Sequence, residues 1–111
     1  MTTATDVPTG RQVISGVIVV AWHWEGEHGQ SIKIKVNCGE FQVRGTCPKS
    51  LIDESLPRGG YSADDYWNLP RALNGQHVTL TATLRPDNRE IGQGFFARPA
   101  KAAFTRHLAS P

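Results

Sequence analysis

Four basic or amide side chains could form one polar face in the middle of the chain. They lie in two segments in which apolar and polar residues alternate, SIKIKV at 31–36 and FQVRGT at 41–46. The outward side chains are Lys33, Lys35, Gln42 and Arg44. Cross-strand neighbours on one sheet face lie about 5 Å apart, so the four would form a single patch without an outward acidic residue. Such a patch suits a nucleic-acid phosphate backbone, and it equally suits a plain solvated face, because Lys and Arg discourage edge pairing.

Two tryptophans could add base stacking to this patch. Trp22 and Trp24 end the β-branched segment RQVISGVIVVAWHW, and aromatic rings beside a basic groove stack on single-stranded bases, each worth about 1–3 kcal/mol. Both tryptophans are an even number of residues from Ile14 and Ile18, so strand alternation predicts that they face the core as these two residues do. A bulge at Gly16 would not change this relation to Ile18, because Ile18 also follows Gly16. Both lie near the strand end, where a ring can be half exposed at a barrel mouth. The sequence leaves both alternatives open.

Further aromatic and basic residues lie in the second half of the chain. Phe95 and Phe96 are adjacent on a presumed strand, so their side chains face opposite ways. We expect one in the core, while the other is exposed, covered by the tail, or available to a partner. Tyr66 has the helical spacing of a packing stripe with Leu69 and Leu73. The last stretch is either a solubilising tail or a basic arm that contacts phosphates. Its basic residues are Arg98, Lys101, Arg106 and His107.

No arrangement of residues points to catalysis or to a metal. The chain contains no Gly-x-Ser-x-Gly, no P-loop, and no His-x-Glu with a Cys-x-x-Cys. The acidic pairs at 53–54 and 64–65 are explained by the helix dipole, which favours acids near a helix N-terminus. Cys38 and Cys47 would sit near opposite ends of one strand, roughly 20 Å apart at about 3.3 Å per residue, which argues against a disulfide or a shared metal. We therefore expect no enzyme activity, no cofactor and no metal site.

Alternating and β-branched segments predict that an all-β barrel of five strands positions these residues. The strands are predicted at 11–24, 31–36, 41–46, 77–85 and 91–98. Gly16, inside the long first strand, is expected to mark a bulge or a sharp bend at a barrel corner. The second and third strands form a hairpin, which would place the basic side chains of both on one face.

The remaining segments predict a short helical insert and two tails. Residues 47–76 lack strand alternation; Ser62 and Asp65 resemble a capping box, and Pro70 is expected to interrupt the helix that follows. A short helix is predicted at 100–108. The chain thus divides into a flexible N-terminal tail at 1–10, a barrel domain at 11–98 and a basic C-terminal tail at 99–111.

The order of these elements resembles the OB-fold superfamily over residues 11–98. The likeness lies in Gly16 within VISGVIVV, in the SIKIKV/FQVRGT hairpin, and in NGQHVTLTATL after the helical insert. The resemblance implies a Greek-key barrel with oligonucleotide, oligosaccharide or protein bound on the face of the second and third strands; an SH3-like barrel and an open β-sandwich are the alternatives. FQVRGTCPKSL, LNGQHVTLTATL and GFFARPAKA are also similar in texture to OB-like segments of bacteriophage and actinobacterial DNA-metabolism proteins.

Composition and charge indicate the cellular compartment and the kind of partner to expect. The 111 residues carry a net charge of only +2, but basic side chains concentrate in 31–49 and 70–111. The longest apolar run, Val17 to Trp22, is far shorter than the roughly 20 residues of a spanning helix, and no signal peptide is evident, so we expect a cytoplasmic protein without a membrane partner. The expected function is binding of single-stranded nucleic acid, DNA above RNA, in phage or bacterial DNA metabolism. The alternative is a protein–protein interaction module, such as an accessory factor or an oligomerising subunit.

Overall fold

The computed structural model describes residues 6–27, 29–57 and 59–105. These residues contain five strands and three short helices. The strands are β1 (Gly10–Gly26), β2 (Gly29–Asn37), β3 (Gln42–Thr46), β4 (His77–Pro86) and β5 (Gln93–Phe104). The helices are α1 (Lys49–Ser55), α2 (Ala63–Trp67) and α3 (Leu69–Leu73). The sheet closes in the order β1-β2-β3-β5-β4. The predicted five-stranded all-β barrel with helices between the third and fourth strands is confirmed.

Strand β1 belongs to both sides of the barrel and bends between them. Its first half pairs antiparallel with β4, and from Val17 onward it pairs antiparallel with β2. A Cβ at Gly16 would collide with the carbonyl oxygen of Asn37, the last residue of β2. Glycine therefore lets β1 and β2 approach closely at this position. The bulge expected at Gly16 lies between Ile18 and Val20 instead.

A parallel pairing between β3 and β5 completes the ring. Arg44 of β3 lies beside Phe95 of β5. The next β3 residue, Gly45, has no room for a side chain, because the carbonyl oxygen and the ring of Phe96 lie against it. Closing the sheet in this way removes the long free edges that invite pairing with another chain.

The core fills the barrel with inward side chains from the strands, and two helices cover one end. Fully buried strand residues include Ile18, Ile32, Ile34, Val36, Val43, Val78, Leu80, Ala82 and Leu84. Leu51 of α1 and Leu69 and Leu73 of α3 are equally buried, and Tyr66 packs against this core, which confirms the predicted stripe. Each fully buried Leu or Ile contributes about 1.5–3 kcal/mol.

The helical insert begins as predicted and continues differently. The Ser62 hydroxyl accepts a hydrogen bond from the Asp65 backbone N–H at 3.2 Å, and the Asp65 carboxylate accepts one from the Ser62 N–H at 2.9 Å, which completes the capping box. Pro70 was expected to interrupt a helix, but it lies in the first turn of α3. Backbone N–H groups in that turn have no hydrogen-bond partner within the helix, so the N–H that proline lacks is not needed there. No helix in the described part of the chain is long and apolar enough to cross a membrane.

The last strand is longer than the sequence predicted. β5 continues past Arg98 to Phe104 and pairs with β4 along its length, so the helix predicted at 100–108 is wrong for 100–104. The helix propensity of this Ala-rich stretch is overridden by the ladder with β4 and by the packing of Phe104 against the core. Residues 99–104 therefore belong to the barrel rather than to a tail, while Arg106 and His107 lie outside the described residues.

Candidate functional site

The basic residues of the hairpin lie on the outer face of β2 and β3. The register places Lys35 opposite Arg44, and Lys33 opposite Thr46. The Lys33 ammonium donates a hydrogen bond to the Thr46 hydroxyl at 2.7 Å. Gln42 lies at the start of β3, two residues before Arg44 and therefore on the same strand face. The face predicted from local alternation is thus present.

A β-bulge turns both tryptophans of β1 onto this same face. The register between β1 and β2 shifts between Ile18 and Val20, so the inward phase of Ile18 does not carry on to Trp22 and Trp24. Trp24 is 50% exposed and Trp22 is half-buried. The core placement predicted from their parity is therefore wrong, because the extra residue reverses which side chains face inward.

The two tryptophans lie beside the basic residues of β2. Trp22 pairs with Lys33 across the β1–β2 ladder. The Lys33 ammonium lies 6.0 Å from the centroid of the Trp24 ring, at the outer limit of a cation–π contact. One lysine thus joins the aromatic side of the face to the hydroxyl of Thr46.

Phe95 adds an aromatic ring that the sequence analysis did not place here. Phe96 is buried at 4% exposure, and Phe95 is half-buried on the outer face, so the prediction that the pair splits between core and surface is confirmed. The guanidinium carbon of Arg44 lies 4.6 Å from the Phe95 ring centroid, and that of Arg85 lies 4.8 Å from it. Because β5 lies between β3 and β4, the two arginines approach Phe95 from opposite neighbouring strands.

These side chains surround two depressions in the outer face. The first, about 240 Å³, is lined by Trp22, Trp24, Lys33, Arg44, Gly45 and Phe95. The second, about 430 Å³, shares four of these residues and extends to Thr83, Arg85 and Arg98. Because the two depressions share Lys33, Arg44, Gly45 and Phe95, they form one groove. We call it the aromatic–basic groove; Lys35 and Gln42 lie on the same face but line neither depression.

One carboxylate partly neutralises the groove. Asp87 Oδ2 lies 3.4 Å from the Arg44 guanidinium, and Asp87 Oδ1 lies 3.2 Å from Arg89 Nε. Hydrogen bonds from Arg89 hold the pKa of Asp87 below its usual value. Among the described residues, Lys33 and Arg85 form no ion pair, so their charge faces the groove without compensation.

His23 lies on the inward side of β1 after the bulge and holds the helical insert in place. Its ring centroid lies 5.3 Å from that of Tyr66 and 4.5 Å from that of Trp67. Its Nε2 is 3.1 Å from the carbonyl oxygen of Trp67, and its buried Nδ1 has no hydrogen-bond partner among the described residues. Trp67 remains 55% exposed and Tyr61 59% exposed, so the insert presents aromatic surface apart from the groove.

The cysteines have environments that suppress their reactivity. Both are free thiols, Cys38 half-buried and Cys47 buried. Burial raises the pKa of Cys38 to about 11 and that of Cys47 to about 12, so at neutral pH both are protonated and weak nucleophiles. Within the described ranges, no three His, Cys, Asp or Glu side chains cluster as metal ligands would.

Comparison of the chain with protein-family models, with curated proteins and with solved structures found no match.

Proposed function

We propose that this protein is an OB-fold module that binds single-stranded nucleic acid in the aromatic–basic groove. Three features support an OB fold: the closed strand order, the bent first strand shared by both halves of the barrel, and the helices between β3 and β4. In OB folds the face of the second and third strands binds oligonucleotides or oligosaccharides. Single-stranded DNA is the ligand favoured by the sequence resemblance to DNA-metabolism proteins.

The observation that carries this proposal is that one exposed ring, Trp24, and cations without ion-pair partners among the described residues lie in one groove. Trp24 offers an accessible aromatic face, and Lys33 and Arg85 offer charge for phosphates. Stacking on such a ring requires a base whose own faces are free, which a single strand has and a duplex does not. Lys35 and Gln42 extend the polar part of the face, where backbone phosphates and base edges would lie.

Phe95 has a different role in this proposal. Its ring is in contact with two guanidinium groups, so its faces are less available to a base than those of Trp24. The ring instead holds Arg44 and Arg85 in place, which reduces the side-chain entropy lost when they bind phosphate. The groove thus combines one stacking side, at Trp24, with one phosphate-binding side, at Phe95.

Fluorescence anisotropy with a labelled oligonucleotide tests the proposal. Trp24→Ala should weaken binding by about 5- to 150-fold, the equivalent of about 1–3 kcal/mol for one stacked base. Trp67→Ala is the matched control, because Trp67 is equally exposed but belongs to α2, and it should leave affinity unchanged. Absence of wild-type binding to single strands at micromolar protein and about 50 mM salt, where phosphate contacts are strong, would exclude this function.

The second candidate function, a protein-interaction module or oligomerising subunit, is favoured by the exposed aromatic surface of the helical insert. Tyr61 and Trp67 are both more than half exposed, and aromatic side chains are enriched at protein interfaces. Light scattering of the purified protein, followed by affinity capture of host proteins, tests it. A partner or a dimer that is lost in Trp67→Ala and retained in Trp24→Ala would favour this function over nucleic-acid binding.

A further inference from the structure

Strand β5 contains two β-bulges, and each has a basic residue at its centre. In the ladder between β4 and β5, successive paired residues of β4 are two apart: Thr83, Thr81 and Thr79. The β5 residues that pair with them are three apart: Ala97, Ala100 and Ala103. The extra residue in each step is accommodated at Arg98 and Lys101. Both have a φ of 51°, which is the left-handed region that side chains other than glycine rarely adopt.

The choice of residue at these bulges is not explained by the stability of the fold. Glycine adopts a positive φ without a steric penalty, and Asn does so far more readily than Arg or Lys. Both bulge positions nevertheless hold long cationic side chains, and both are exposed. Bulges redirect side chains, and strained positions concentrate at functional sites, so the two side chains are candidates for ligand contact.

The surface around the bulges is suited to phosphate. The Arg11 guanidinium donates to the Arg98 carbonyl oxygen at 3.0 Å and to the Thr83 hydroxyl at 3.3 Å, which brings a third cation to the first bulge. Outward threonines of β4 add hydroxyl donors, and no outward position of β4 or β5 holds an acid. Arg, Lys and Thr side chains are frequent partners of nucleic-acid phosphates.

This surface is continuous with the aromatic–basic groove. The depression of about 430 Å³ is lined by Lys33 and Arg44 on one side and by Thr83 and Arg98 on the other. Phe95 and Arg98 are three residues apart on the same strand, and Lys101 follows after three more. A ligand that leaves the groove past Phe95 therefore meets the two bulges in succession.

We propose that the outer face of β4 and β5 is a second subsite for single-stranded nucleic acid, in which Arg98 and Lys101 bind phosphates of a strand that continues out of the groove. This inference rests on the proposed function and extends its binding path around the barrel. The subsite recognises the phosphodiester backbone rather than the bases, since the chemistry it offers is cations and hydroxyl groups. A ligand too short to reach past Phe95 does not reach Lys101, which lines neither depression of the groove.

The test combines oligonucleotide length with a double substitution, Arg98→Gly and Lys101→Gly. Thymidine oligonucleotides of about four and about twelve nucleotides span the known site sizes of OB folds. For the long ligand, loss of two phosphate contacts should reduce the slope of log affinity against log salt by about 1.4 and weaken binding by about 60-fold at about 50 mM salt. The short ligand should lose less affinity than the long one, because Arg98 also borders the groove whereas Lys101 lines neither depression. Lys101→Gly alone should leave the affinity for the short ligand unchanged.

Two further variants separate this outcome from a damaged fold or a general loss of charge. Glycine is favoured at a φ of 51°, so the double variant should melt at the wild-type temperature or above. Arg98→Lys with Lys101→Arg keeps both charges and should keep the affinity for the long ligand. Lys49→Ala with Arg71→Ala removes two exposed charges from α1 and α3 and should not reproduce the effect.

The inference is overturned if the double glycine variant binds the long ligand as tightly as the wild type, or if it loses affinity equally for both lengths. The proposed function fails separately, when the wild type binds neither oligonucleotide.

Discussion

In the proposed binding mode, Asp87 would compete with a bound phosphate for Arg44, so removal of its charge should strengthen nucleic-acid binding. The carboxylate is only 8% exposed and lies 3.4 Å from the Arg44 guanidinium. Asp87→Asn removes the charge but keeps an oxygen that can accept the backbone hydrogen bond of Arg89, which is 3.0 Å long in the wild type. The turn between β4 and β5 should therefore persist while Arg44 becomes free to pair with the ligand.

The size of the expected gain in affinity for nucleic acid follows from counterion release. Each phosphate neutralised on a single strand adds about 0.7 to the magnitude of the salt slope. One additional contact by Arg44 would tighten binding by about eightfold at about 50 mM salt and by progressively less as salt increases. Arg44 already lies 4.6 Å from the Phe95 ring, so it is held at the groove when Asp87 no longer pairs with it.

Anisotropy titrations over a range of salt concentrations measure both quantities. Glu90→Gln is the matched control, because Glu90 is exposed in the same turn and forms no ion pair within the described residues. It makes the same change in net charge without releasing Arg44. The reasoning is refuted if Asp87→Asn binds no more tightly than Glu90→Gln, or if its salt slope equals that of the wild type.

The same substitution has a predictable effect on the pH dependence of stability. Arg89 holds the pKa of Asp87 below its usual value of 3.8, so the ionised carboxylate stabilises the folded state at pH values above 3.8. That stabilisation is lost as the pH falls from 3.8 through the lower pKa of the folded state. Urea denaturation should show the wild type more stable than Asp87→Asn at pH 7, with the difference shrinking in acid; a constant difference would contradict the assignment.

Two further substitutions and two measurements on the cysteines test the site and the core. Phe96→Ala should lower the free energy of unfolding by about 3–5 kcal/mol, because it empties a buried aromatic position. Phe95→Leu should leave stability nearly unchanged in the same urea titration and weaken oligonucleotide binding roughly fivefold or more, since each cation–π contact contributes about 0.5–1 kcal/mol. Burial raises the pKa of Cys38 to about 11 and that of Cys47 to about 12, so a disulfide reagent at pH 8 should react with them at least about 100-fold more slowly in the folded protein than in urea. Because the neutral thiols are favoured only in the folded state, the free energy of unfolding should also decrease as the pH rises from 9.0 through about 11.

The parts of the site that depend on local pattern were readable from the sequence. Strict alternation in β2 and β3 placed Lys33, Lys35 and Arg44 on one side, because the side-chain period of a strand is two residues and a buried inner face fixes the register. The Ser62 capping box was also readable, because it depends on two residues three apart at a helix start.

The completed groove depends on contacts between residues far apart in the chain. The bulge after Ile18 arises where β1 changes from pairing with β4 to pairing with β2, and it turns Trp24 outward against the parity of the sequence. The parallel pairing of β3 with β5 sets Phe95 beside Arg44, although the two are separated by the whole helical insert. The extension of β5 through Lys101 likewise follows from its ladder with β4. Alternation within a segment determines which residues share a strand face. Strand pairing and bulges determine which faces meet, and both pairing and bulges arise only when the barrel closes.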